Sequence, residues 1–254
     1  MNRLLKNMKR NESTMKKWIL RILAAIMVVC ILTGIFYTGK GYLMYRAALN
    51  DCSLTDMVQS IRDRENYTPL EELPKIFIDA VVAVEDHRFY DHGPIDIISI
   101  GRAVWVNLTS FKLAEGGSTI TQQLAKNIYF TQEKKFERKI AEIFMAFALE
   151  KQYEKDDILE LYVNTIYYGS GYYGVYDASQ GYFGKAPSEM TDFESTLLAG
   201  LPNAPSVYSP DVNPELSEQR QKQVLSSMVE YGYITEEEAQ AVMAVWEITE
   251  GDGF

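Results

Sequence analysis

From Trp18 to Tyr37 the chain is apolar, with Arg21 as its single charge and an aromatic residue at each end. At a rise of about 1.5 Å per residue, a helix of this length covers the roughly 30 Å of a bilayer's hydrocarbon core. Such a run has no place on a water-facing surface, and it predicts a transmembrane helix over residues 18–37. It is long for the apolar part of a cleaved signal peptide, and no small-x-small cleavage site follows it cleanly. Arg21 lies near one edge, where its side chain can reach the interface. The leader and that edge carry Arg3, Lys6, Lys9, Arg10, Lys16, Lys17 and Arg21 against Glu12 alone. The excess of cations predicts an amino terminus in the cytoplasm and everything after Tyr37 on the other side. The expected organisation is a basic segment over 1–17, the span over 18–37, a polar stalk over 38–68 and a folded domain over 69–254.

The whole chain has 25 basic and 35 acidic residues, and seven of the basic ones stand before the folded part with only one acid, so the remainder carries a net charge of −16. A domain this acidic is a poor partner for nucleic acid. Any anion it handles must meet a local cluster of cations. Its two cysteines, Cys30 in the apolar run and Cys52 beyond it, imply no disulfide framework. Beyond residue 73 the apolar residues recur with helical spacing. Helices are expected after Pro74 and over 95–111, 119–129, 134–153, 156–165, 176–183, 192–201, 215–231 and 236–246, with a glycine-marked loop over 168–174. No run alternates as a strand does, and the predicted fold class is all-α.

Three stretches hold more chemistry than a helical core needs. In Gly116-Gly117-Ser118-Thr119-Ile120-Thr121-Gln122-Gln123-Leu124-Ala125-Lys126-Asn127, two glycines free the backbone, and Thr119 with Gln122 has capping-box spacing. A helix beginning here would offer free N–H groups to an anion, with Lys126 one turn beyond Gln122 on the same face. An ordinary capped glycine turn explains the threonine equally well. In Glu85-Asp86-His87-Arg88-Phe89-Tyr90-Asp91-His92, a polar cluster closes an apolar helix. Burial and the helix C-terminus would both raise the pKa of Glu85, as general acid–base work requires. A solvated helix end is the plainer reading, and the spacing of His87 and His92 matches no zinc pattern. Finally, residues 140–149 are apolar except for Glu142, with Arg138 four residues earlier on the same face. That pair is at least a structural ion pair.

Together these segments resemble glycosyltransferase family 51, the peptidoglycan glycosyltransferases found alone or in class A penicillin-binding proteins. Glu85, Asp86, Phe89 and His92 match the first motif; Gly117 through Gln123 with Lys126 and Asn127 match the second; Arg138, Lys139 and Glu142 match the third. The fourth and fifth resemble residues 158–169 and 197–205, so the likeness covers roughly half the chain. One departure is the order His92-Gly93-Pro94, which puts the glycine one place early and a proline in the turn.

The resemblance implies a lysozyme-like, two-lobed helical domain behind one amino-terminal transmembrane helix. It implies polymerisation of lipid II into a growing glycan strand at the outer face of the cytoplasmic membrane, with lateral cell-wall synthesis proteins as further partners. In that reading Glu85 is the general base and Glu142 the second catalytic carboxylate. Lys126, Arg138 and Lys139 stabilise the departing pyrophosphate, and Ser118, Gln122 and Gln123 orient sugar or phosphate oxygens. Asp86, Thr119 and Asn127 complete the expected substrate-binding set, and Glu142 is a ligand for Mg2+ or Mn2+ if a metal takes part. The segment 97–113, with Trp105, Leu108, Phe111 and Leu113, is expected either to touch the membrane or to pack in the core. No Lys-Thr-Gly occurs, and about 50 residues after the fifth motif are too few for a transpeptidase domain, so a monofunctional enzyme is expected. A lytic glycosidase on a similar scaffold and a catalytically silent scaffold are the rivals. The cations speak against the first, and the pair Glu85 and Glu142 against the second.

Overall fold

The computed structural model describes residues 2–110, 116–131 and 135–249. Phe111, Leu113 and Lys134 lie outside the described residues. The all-α expectation holds, and every expected helix is found within a few residues of its predicted ends.

Helix α1 runs without a break over Asn2–Asp51, so the helix continues well beyond the apolar span that ends at Tyr37. Its side chains from Trp18 to Phe36 are exposed, as a membrane-facing surface requires. The stalk expected over 38–68 is not a loose connection. Gly41 lets α1 lie against α6 (Phe136–Gln152). A Cβ at Gly41 would come within 2.5 Å of the Ile140 side chain. Around it, Lys40 pairs with Glu137 at 3.2 Å, Tyr37 meets Phe136 edge-on, and Tyr42 and Tyr45 flank Phe144. Helix α2 (Leu54–Arg62), capped by Ser53, then turns Leu54, Val58 and Ile61 into the core. The packed body therefore begins before Pro69. The polar residues between these three hid a one-sided apolar stripe.

Helix α3 (Lys75–Glu85) is buried and packs on α9 (Asp192–Gly200) and α11 (Pro214–Glu230). Helix α4 (Ile97–Ser110) leaves Ile97, Ile98, Val104, Trp105 and Leu108 exposed, so core packing does not explain its apolar face. Helix α5 (Ile120–Tyr129) packs between α6 and α7 (Lys155–Val163). The expected loop over 168–174 forms a small antiparallel hairpin of β1 (Tyr167–Gly169) and β2 (Tyr172–Tyr173). Helices α8 (Val175–Phe183), α10 (Pro205–Tyr208) and α12 (Glu236–Thr249) complete the body. The core joins Phe77, Val81, Leu124, Met145, Tyr162, Leu198 and Met228 in one cluster. Side chains from α3, α5, α6 and α11 line one cleft of about 520 Å³.

Candidate active site

Glu85 is the last residue of α3, and its side chain is only 8% exposed at the cleft. Gln123 Nε2 donates a hydrogen bond of 2.9 Å to Oε2. Oε1 is buried and has no hydrogen-bond partner among the described residues; Arg220 Nη2 lies 3.7 Å from it. Burial raises the Glu85 pKa above the usual carboxylate range; Gln123 and Arg220 oppose the rise, and Asp86 adds to it. Tyr162, fully buried on α7, donates to Gln123 Oε1 at 3.2 Å. Gln123, expected to orient substrate, lines the cleft; its Nε2 holds the carboxylate and its Oε1 accepts from Tyr162.

In the second stretch, the protein's own groups take part of the expected anion-binding helix start. The capping box forms as predicted, with Thr119 Oγ1 accepting from Gln122 N and Gln122 Oε1 accepting from Thr119 N, each at 3.2 Å. Thr119 Oγ1 also donates to Pro94 O at 2.9 Å, and Thr119 is buried. Asp86 Oδ2 takes the Ile120 amide at 3.1 Å, while Asp86 Oδ1 meets His92 Nε2 at 2.7 Å. The helix start therefore already holds a carboxylate on the Ile120 amide, and the Gln122 amide is taken by Thr119. Asp86, Thr119 and Gln122, expected among the substrate ligands, all line the cleft and also brace the first motif against the second. Burial disfavours a charged His92, but its bonds to Asp86 and the Gly93 carbonyl outweigh this and raise its pKa.

The early glycine and the proline leave the first motif intact. Asp96 caps α4 through the amides of Ile98 and Ser99 at 2.9 and 3.1 Å, and Arg88 holds the same carboxylate at 2.5 Å. Gly93 has open space where a Cβ would stand.

The cations gather on α5 and α6. Glu142, 1% exposed, is paired with Arg138 and lies 3.1 Å from Lys139 Nζ. Lys139 also donates to Ser118 Oγ at 2.6 Å. Lys126 lines the same cleft; burial chiefly lowers its pKa, Glu142 opposes this, and Arg138 and Lys139 add to it. Arg138 supports the cluster through Glu142 and does not itself line this cleft, and Asn127 lines an adjoining cavity of about 580 Å³ that shares Gln123 and Lys126. Glu142 does not fit a Mg2+ or Mn2+ ligand. Its two oxygens face an arginine and a lysine, with a second lysine nearby, and a divalent cation there would meet three like charges. Asp86, His92 and Asp96 lie close enough to share an ion, but their ligating atoms are bound to backbone amides, Arg88 and one another.

The sequence reading missed Arg220. In a polar run on α11 it looks like part of a solvated helix face, yet its Nε donates to Gly200 O at 3.0 Å. Glycine at 200 leaves room for its stem, since a Cβ there would come within 3.1 Å of Arg220 Cγ.

The family described as Transglycosylase matches residues 54–229. A protein named "Putative transglycosylase" from Cupriavidus necator is 44% identical over 180 residues, covering 71% of this chain and 78% of its own length. Penicillin-binding protein 1F of Bacillus subtilis is 46% identical over 177 residues, and penicillin-binding protein 1A of Neisseria flavescens 47% over 172. These cover 69% and 68% of this chain, which spans about a quarter of the length of each. Among solved structures, penicillin-binding protein 1A from Haemophilus influenzae aligns with a TM-score of 0.40 and 28% identity, over 70% of this chain and 17% of that one.

Proposed function

Because the chain belongs to the transglycosylase family, the peptidoglycan glycosyltransferases of family 51, we propose that it polymerises lipid II into glycan strands at the outer face of the cytoplasmic membrane. The observation that carries this reading is the buried Glu85 carboxylate, with one oxygen held by Gln123 and the other without a hydrogen-bond partner among the described residues, in the cleft that also holds Lys126, Lys139 and Glu142. A base near such a cation cluster suits glycosyl transfer from a diphosphate.

Glu85 takes the proton of the acceptor sugar's 4-hydroxyl, and the freed oxygen attacks C1 of the donor muramyl residue from the face opposite the diphosphate. The C1–O bond to phosphate breaks, the anomeric configuration inverts, and polyprenyl pyrophosphate departs with the electron pair. A raised pKa makes Glu85 a stronger base than a solvated carboxylate once it is ionised. Charge grows on the leaving diphosphate, so Lys126 and Lys139 stabilise the transition state more than the ground state. Glu142 fixes Arg138 and Lys139 so that they need no reorganisation as the bond breaks. No step runs through a metal ion. The basic leader before the exposed apolar helix supports a cytoplasmic amino terminus and an outward-facing cleft, and the exposed face of α4 suits contact with the membrane that holds the substrate.

The test incubates detergent-solubilised protein and its Glu85→Gln variant with labelled lipid II and separates products by size. Polymer from the wild type and none from the variant is the expected result. Polymer from both removes Glu85 as the base, and none from either, with lipid II still bound, favours a silent scaffold.

A further inference from the structure

The cleft has two aromatic residues that the mechanism does not use. His87 stands just past the end of α3, two residues after Glu85, and Tyr231 just past the end of α11. Their rings stack with centroids 4.0 Å apart and planes 7° from parallel, and both line the cleft. Each is partly exposed, and neither side chain forms a hydrogen bond with another described residue. The stack ties together the ends of the two helices that deliver Glu85 and Arg220. It therefore presents a fixed surface with ring nitrogens and a hydroxyl at its edges.

The charges around this surface differ from those of the leaving-group cluster. Lys126 feels Glu142, Arg138 and Lys139, whereas His87 feels Arg102, Arg88, Asp86 and Asp96. Burial, helped by the two arginines, lowers the His87 pKa, so the imidazole is neutral at neutral pH. A neutral imidazole offers one donor and one acceptor, and a phenol offers both. That chemistry suits hydroxyl and acetamido groups better than phosphate, while the apolar rings suit the C–H face of a pyranose. Rings with few rotatable bonds also lose little entropy when they bind.

We propose that His87 and Tyr231 form a saccharide subsite that holds a sugar ring of the substrate beside Glu85. The inference rests on the lipid II reading above and adds to it a contact that selects the sugar rather than the diphosphate.

The test uses the full chain in detergent. His87→Phe keeps an aromatic ring in the stack and removes both nitrogens; Tyr231→Phe removes only the hydroxyl. A tetrasaccharide of the glycan repeat, without lipid or phosphate, is the probe for saturation-transfer NMR, and labelled lipid II is the substrate for kinetics. Transfer to the tetrasaccharide is expected in the wild type and reduced in both variants. The KM of His87→Phe for lipid II is expected to rise about tenfold, equivalent to about 1.4 kcal/mol, with a smaller change in kcat. If His87→Phe lowers the unfolding midpoint, Tyr231→Phe carries the comparison. Unchanged KM and unchanged transfer in a folded variant overturn the subsite while polymerisation persists. Absence of polymer from the wild type instead overturns the function on which the subsite rests.

Discussion

Gln123 Nε2 lies 2.9 Å from Glu85 Oε2, so a side chain of the second motif holds the carboxylate of the first. Its own carbonyl accepts from Tyr162, which continues the connection to α7. Burial raises the Glu85 pKa, and Gln123 is the largest influence opposing the rise. In the proposed reaction Glu85 must be ionised to accept a proton, so the rate is expected to fall as pH drops through its pKa. Removing the donor with Gln123→Leu moves that acid limb to higher pH and lowers kcat by about 10- to 100-fold, within the range of general-base effects. A pH–rate profile of lipid II polymerisation measures both. An acid limb that stays in place would show that Gln123 does not set the basicity of Glu85.

The same burial gives Glu85 a cost in stability. A carboxyl whose pKa is raised on folding contributes stability below its unfolded pKa, and that contribution is lost as pH rises through the folded value. Above its unfolded value the raised carboxyl weighs against the fold, and Glu85→Gln removes the titratable group while keeping the shape. The variant is expected to unfold at a higher temperature than the wild type at pH 7, with the gap closing on acidification. Thermal unfolding across a pH series reads the difference, and a variant less stable at neutral pH would contradict it.

The readings that held were local. The cap at Thr119 and Gln122, the pair Arg138–Glu142 and the end of α3 at Glu85 all depend on residues within a few positions of one another. What the sequence did not reveal depended on chain brought from far away. Asp86 fills the start of α5 from 34 positions upstream, which no spacing within the second motif could reveal. Arg220 was illegible because its burial is created by Gly200 and the packing of α11 on α9. The stalk was misread because Leu54, Val58 and Ile61 are apolar on one face only, with the residues between them polar.

Glu142 is the buried member of the cation cluster, and replacing it leaves Arg138 facing an uncharged side chain. Removing one partner of a buried ion pair costs about 3 kcal/mol; Lys139, which is 41% exposed, adds little because water screens it. Glu142→Gln should therefore lower stability in chemical denaturation and reduce kcat more than it raises KM, because the cations lose their preset positions. The conservative Glu142→Asp should recover part of the stability. Equal losses of activity from both variants at full stability would point to direct contact between Glu142 and substrate.

The membrane helix is built into the site through its contact with α6. Ile140 sits under Gly41 on one face of that helix, while Lys139 and Glu142 on the same helix line the cleft. A larger residue at 41 must push α1 away, because its Cβ alone would overlap Ile140 at 2.5 Å. Overpacking of this kind costs about 1–3 kcal/mol. Gly41→Leu is expected to lower the unfolding midpoint, speed amide exchange in the part of α1 that follows the apolar span, and reduce polymerisation. Lys40→Ala removes only an exposed pair with Glu137 and should change stability by less than about 1 kcal/mol. If α1 were a simple tether, both variants would polymerise lipid II like the wild type. A loss confined to Gly41→Leu, reversed by the space-making second change Ile140→Ala, would establish that the anchor positions the helix carrying the cations.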